Sequence, residues 1–481
     1  MYRFLLALPL LLSVPSLPAA VENFRVTSDR SVDTTSLETI VRDVIARANA
    51  KTNDEKAIAL YDWLHTAIFH QAYATEADPQ SVGPLKLLNV YGWGLCGGQH
   101  TVLKALYETA GWECRYVGWT GHTTIEVKYD GRWHYLDVFL KCYFWSKDKS
   151  HIVSQDEIAA DPSIVTDAVK DGRVPRSYLC CGDRPEDILS GIKTRKVAGD
   201  SKGWASVTWR DEGYSPALRL PCGSSLRLEW KAEENAFAVS GSAPKHSCGT
   251  KDYRNDPVLG PIFEHYGPRA WANGRFTYTP DFSRAADVAD IVLAGAKASR
   301  DGKLRASGGK GSATFRLALP YTWVRAEVQA GFEGSGSLAI STDGGKSWQP
   351  CPAGDISAMV KQKYNVQLRA EFSGAMKSLS VTALVEHNKG VLPYLMPGTN
   401  RITAALDSTA PQGAVATVSF AWQEATTPAR RPQWNGNGVT YSAEKFFTGE
   451  VTEKSADFTI NAGGNTPPKM LYMERSVRAR P

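Results

Sequence analysis

Beyond its first twenty residues the chain has no run of about 18 apolar residues, the length that a membrane-spanning helix requires. It also lacks any excess of one charge. The 55 basic and 50 acidic residues leave a net charge of +5 over 481 residues, with no basic stripe. A nucleic-acid or membrane-surface partner is therefore not expected. No fixed-period repeat is present, which argues against a solenoid or propeller array. Metal-ligand spacing is missing too. His65 and His70 stand five apart and share no helical face. His100 follows Cys96 by four residues, but no third and fourth ligand accompany that pair. No metal and no organic cofactor are expected, and His100 is expected at the polar rim of a helix.

What the chain does have is core material: 43% hydrophobic residues, 14 tryptophans and 41 glycines. Disorder is excluded as the main state, and the length implies two or three domains. The opening "MYRFLLALPLLLSVPSLPAA" reads as a secretory signal peptide over residues 1–20. A secreted or periplasmic protein in an oxidising compartment follows from that reading, with no membrane contact after cleavage.

Two amphipathic helices are expected next. "TSLETIVRDVIARA" carries its apolar residues on one face behind a Thr35/Glu38 capping box, and "TNDEKAIALYDWLHTAIFH" repeats the device with Thr52 and Glu55. A third is expected in "GLCGGQHTVLKALYETAG", residues 94–111, with Val102, Leu103, Leu106 and Ala110 buried and Gly111 as its stop. The period then changes to that of strands. "CRYVGW" is one strand, and "HTTIEVKYDGRWHYLDV" is a hairpin turning at Asp130-Gly131. A linker is expected over 193–204, followed by β-rich sequence in which residues 299–312 mark a division. The basic end "ERSVRARP" reads as a solvated tail.

Counting outward from the hairpin turn pairs Tyr129 with Arg132, Val127 with His134 and Thr124 with Asp137. Alternation then places His122 and Asp137 on one face as diagonal neighbours, and His134 on the other. Cys96 begins a helix beside two glycines, where a thiolate is favoured. Cys96, His122 and Asp137 are the candidate catalytic residues, as nucleophile, general base and orienting carboxylate. The Cys96 backbone N–H is a candidate oxyanion donor, with Trp93 or Gln99 as weaker additions. Against this stands a disulfide from Cys96 to Cys114 or Cys142. Of the other seven cysteines, Cys114–Cys142 and Cys222–Cys248 are plausible pairs, while Cys180 and Cys181 are expected to pair elsewhere than with each other.

The stretch from Gly94 to Asp137 resembles the core of the transglutaminase-like superfamily. Cys96, Gly111, Arg115, Gly118, His122, Glu126, Trp133 and Asp137 fit its pattern in order, and the resemblance covers roughly residues 35–145. It departs at Thr124, where an aromatic is common, and at Val138-Phe139, where Pro-Thr often follows the aspartate. The resemblance implies an α+β, papain-like fold with the cysteine helix packed on an antiparallel sheet, and a thioacyl-enzyme chemistry without cofactor. The expected organisation is a signal peptide (1–20), a transglutaminase-like domain (21–195), a β-rich domain (196–300) and a β-sandwich-like domain (301–481). Within the last, "STDGGKSW" (341–348) resembles an Asp-box turn, a structural hairpin. "YTWVRAEV" and "WNGNGVTY" are expected to pack in the core rather than to present a sugar-binding face. The implied substrate is a protein or peptide amide, with hydrolysis favoured over transamidation. The alternative is a non-catalytic binding or assembly protein whose β half holds cell-surface polysaccharide or protein.

Overall fold

A computed structural model describes residues 19–70, 82–171, 185–197, 214–234, 271–426, 440–464 and 467–480. Residues 1–18 of the expected signal peptide, Cys180, Cys181, Cys248, the side chain of His70, residues 198–204 of the expected linker and 434–439 lie outside the described residues.

The N-terminal unit begins with the helices Leu37–Ala48 and Asn53–Ala67. Thr52 and Glu55 form the expected capping box on the second. The first is capped one residue later than the sequence reading placed it, by Ser36 with Thr39. Thr35 instead bonds Asp33, both through its backbone N–H and through its hydroxyl. Both residues can cap, so composition alone did not separate them. The helix Cys96–Thr109 buries Val102, Leu103 and Leu106, and Gly111 adopts a φ of 92° just past its end.

This helix packs on a five-stranded antiparallel sheet ordered Cys142–Tyr143, Arg132–Asp137, His122–Tyr129, Glu113–Trp119 and Lys196–Val197. The hairpin turns at Asp130 and Gly131, whose φ values of 48° and 79° suit a two-residue turn. Tyr129 pairs with Arg132 and Val127 with His134, in the expected register. The ladder stops at Glu126–Tyr135, so Thr124 and Asp137 are not hydrogen-bonded partners. Part of the expected linker belongs to this sheet: Lys196–Val197 pairs with Gly118 and Val117.

The remainder is β-rich. A ten-stranded and a five-stranded antiparallel sheet enclose one continuous apolar core, which also takes in Ile402, Ala404 and Ile460 from a three-stranded sheet. Trp323 and Val328 of "YTWVRAEV" are fully buried there. The division expected near residue 300 does not separate two sheets. Trp271–Tyr278 and Lys303–Ala306 both pair with Ala375–Asn388, because the apolar alternation continues on both sides of the Gly/Lys/Ser-rich turns. The expected C-terminal tail is likewise a strand. Lys469–Ala479 lies between Ser224–Glu229 and Ala414–Gln423, with Met473 and Val477 in the core. Its alternating apolar residues outweigh its basic character. Arg475 donates to the Phe24 carbonyl (2.8 Å) from this buried position.

The two halves are locked together. Ala20–Val21 pairs with Leu220–Pro221, and Arg25–Ser28 pairs with Gly398–Ala405, so the chain passes through the β half before forming its helices. Trp271, Val324 and Leu384 extend the core of the helical unit. Asn388, fully buried, donates to the carbonyls of Ala67 and Leu88 (2.7 Å each) and accepts from Gly390 N–H (2.8 Å). It fits against Gly92, where a Cβ would lie 2.4 Å from its side-chain oxygen. Replacing Asn388 by Leu strands two buried carbonyls, and should cost about 3 kcal/mol. Urea unfolding measures this, and an unchanged midpoint contradicts the role given to Asn388.

Candidate active site

The segment that ends at Tyr91 closes on Gly92 in the left-handed conformation, with φ 67°. Trp93–Gly94 then runs parallel to Phe69–His70 and delivers Cys96 as the first residue of its helix. No side chain caps this helix start, so its first N–H groups are not taken by a capping residue. Cys96 is partly exposed and is not disulfide-bonded. Cys114 and Cys142 are not bridged to each other either, contrary to the pairing considered from sequence. Cys114 is half-buried on Glu113–Trp119 and Cys142 is buried on Cys142–Tyr143, with two strands of the sheet between them.

His122 opens its strand and donates through Nε2 to Asp137 Oδ2 at 2.7 Å. Its Nδ1 is buried without an aligned hydrogen-bond partner, and the Cys96 sulfur lies within interaction range of the ring. Asp137 is completely buried. Its Oδ2 also accepts from the Tyr135 hydroxyl (3.0 Å), and its Oδ1 accepts from Phe139 N–H (3.0 Å) and Leu140 N–H (2.7 Å). The three residues chosen from sequence therefore meet at one point.

The electrostatics follow from burial and partners. Burial disfavours the Asp137 carboxylate, but His122, His100 and the Leu140 N–H outweigh it and hold its pKa well below the usual range. Burial likewise works against a charged His122, yet the Asp137 charge and hydrogen bond, with the Cys96 thiol, raise its pKa to about 10. Burial pushes the Cys96 thiol up, whereas the His122 hydrogen bond and charge and the Thr123 backbone pull it further down, so its pKa falls below 9. By contrast, burial pushes Cys114 up to about 12. Of these two thiols, only Cys96 is drawn below the ordinary thiol value.

Other residues from the sequence pattern are structural. Glu126 is buried, takes two bonds from Arg115 (2.9 and 2.6 Å) and accepts from Gln155 N–H (2.8 Å). Arg115 in turn lies 4.1 Å over the Trp133 ring. His134 stacks on Tyr129 at 3.6 Å, with its nitrogens against the Ile152 and Tyr129 carbonyls. His65 is buried against the Val138 carbonyl. Trp93 is fully buried with its indole N–H unpartnered, while Gln99 reaches the Ile68 carbonyl at 3.4 Å. In the β half, Asp343 accepts from Lys346 and Ser347 N–H, and Gly345 has φ 94°, as an Asp-box-like turn requires.

His100 corrects the sequence reading. It is fully buried rather than at a rim, with Nδ1 2.8 Å from the Cys96 carbonyl and Nε2 3.5 Å from Asp137 Oδ1. The helix carries Val102, Leu103 and Leu106 on its apolar stripe, and the hairpin closes over the His100 face as well, which one helix's periodicity did not show. Its approach to Asp137 is not an ion pair, because burial first, and the His122 charge, lower its pKa to about 4.

A cysteine at a helix start, with a histidine and a carboxylate on the adjoining hairpin, is the arrangement of a cysteine acyl-transfer domain. Residues 38–138 match the model of the transglutaminase-like superfamily, and this part of the chain is a transglutaminase-like domain. No curated protein matches the chain at a significant level.

Removing the imidazole should expose the burial effect on Cys96. In native protein, alkylation of Cys96 by iodoacetamide should rise with a midpoint below pH 9, and His122→Ala should shift that midpoint upward and slow the reaction about a hundredfold at neutral pH. Rates followed at the Cys96 peptide by mass spectrometry check this. Equal profiles would show that the ring does not activate the thiol.

Proposed function

We propose that this protein is a cysteine-dependent acyl-transfer enzyme that cleaves amide bonds of proteins or peptides through a thioacyl-enzyme, with water as the favoured acceptor. The observation that carries the reading is the position of His122, which bonds Asp137 at 2.7 Å through one nitrogen and leaves the other for Cys96. The Cys96 thiolate attacks the amide carbonyl and forms the S–C bond. The negative charge passes to the carbonyl oxygen, within reach of the Cys96 N–H at the uncapped helix start. As the C–N bond breaks, His122 gives its proton to the leaving nitrogen. Water then adds to the thioester, losing a proton to His122. The acid is released, and the thiolate–imidazolium pair returns. Asp137 keeps its charge throughout and holds the ring in register.

The apolar leader supports action outside the cytoplasm, where exposed protein amides are available as substrates. A mixed peptide pool with a labelled primary amine separates the outcomes. New peptide ends or released ammonia, both lost in Cys96→Ala, are expected. Label incorporation without hydrolysis would instead assign amine transfer, and no turnover over any pool together with an inert Cys96 would favour a binding protein.

A further inference from the structure

His100 has no role in the chemistry above, yet it sits between the nucleophile's backbone and the carboxylate strand. Its Nδ1 meets the Cys96 carbonyl oxygen at 2.8 Å, an atom that can only accept. Its Nε2 receives the Val138 backbone N–H at 3.3 Å, a group that can only donate. These two fixed partners determine the tautomer: the proton is on Nδ1, and the lone pair is on Nε2. The Thr124 hydroxyl, also fully buried and 3.3 Å from Nε2, can share that lone pair.

The bridge spans the first turn of the cysteine helix, where the Thr101 hydroxyl also holds the Gly97 carbonyl at 2.8 Å. The helix start carries no side-chain cap, and Gly97 and Gly98 follow the nucleophile. Glycine at these positions leaves the first turn easy to deform. His100 ties the Cys96 carbonyl to Val138, the residue after Asp137, and its ring meets that of His122 edge to face at 5.6 Å. Asp137 already accepts four hydrogen bonds, from His122, Tyr135, Phe139 and Leu140. A neutral His100 adds no competing donor, so His122 remains the cationic partner of the carboxylate.

We infer that His100 is a positioning residue for the acyl-transfer site, a neutral imidazole brace that fixes Cys96 relative to the Asp137 strand from the buried side. The inference rests on the function proposed above. Its test compares Cys96 alkylation across pH in the full chain and in His100→Leu, His100→Asn and His122→Ala, using protein shown to be folded by near-ultraviolet circular dichroism. His100→Leu should slow alkylation at neutral pH by about tenfold and raise its midpoint, since misplacement of the thiol weakens its coupling to His122. His100→Asn, which can keep a donor to the Cys96 carbonyl, should recover part of the rate. A merely structural histidine would lower the melting temperature while leaving rate and midpoint unchanged, and that result would overturn the inference. If His122→Ala slows alkylation but His100→Leu does not, the brace fails and the acyl-transfer reading stands. If neither does, the acyl-transfer reading itself fails. Should the His100 variants not fold, nitrogen NMR of labelled imidazoles in the unmodified chain decides. A neutral ring protonated on Nδ1 is expected at neutral pH, and a charged ring or the opposite tautomer overturns the inference.

Discussion

A carboxylate with no exposure to water needs its charge met inside the protein, and Asp137 is such a group. Four donors converge on it: the His122 ring, the Tyr135 hydroxyl and the N–H groups of Phe139 and Leu140. That demand fixes the orientation of His122, and the orientation of His122 determines which ring nitrogen faces Cys96. The lowered thiol pKa is the last step of this sequence, since burial alone would raise it. The chemistry of the site thus depends on an anion placed where it would be unstable without those partners.

The β half supports the site from outside. Asn388 holds the carbonyls of Ala67 and Leu88 on the segments that lead to Trp93 and Cys96. Gly92, whose lack of a side chain admits Asn388, also makes the left-handed turn that aims the chain into the cysteine helix. With Ala20–Val21 and Arg25–Ser28 paired into sheets of the β half, the transglutaminase-like unit is anchored where its sequence begins. The β half is therefore part of the framework of the transglutaminase-like unit as well as an appended module.

Much of the site was legible in the sequence because it is built on a two-residue hairpin. Asp130-Gly131 specifies a turn, the turn specifies a register, and strand alternation then separates His122 from His134 without any knowledge of the fold. The cysteine helix was legible through its apolar stripe and Gly111. His100 was not, because periodicity shows which face of a helix is most apolar and not how far the neighbouring elements close over its flanks. The C-terminal strand was missed for a related reason. Arg475 and Arg478 give it a basic character, whereas Met473 and Val477 decide its placement. The Ser36 cap was hidden by three adjacent hydroxyl residues of similar capping ability. Cysteine pairing was the least legible, since eight cysteines behind an apolar leader invite bridges that Cys114 and Cys142 do not make with each other.

The central claim is that Cys96 ionises more readily than an ordinary thiol because His122, held by Asp137, faces it. The most direct measurement is the ultraviolet thiolate absorbance of the folded protein titrated with pH, taken as the difference from Cys96→Ser. The account requires one thiolate transition below the ordinary thiol value of 9 that the variant lacks. A difference trace that stays flat until above 9 would contradict it.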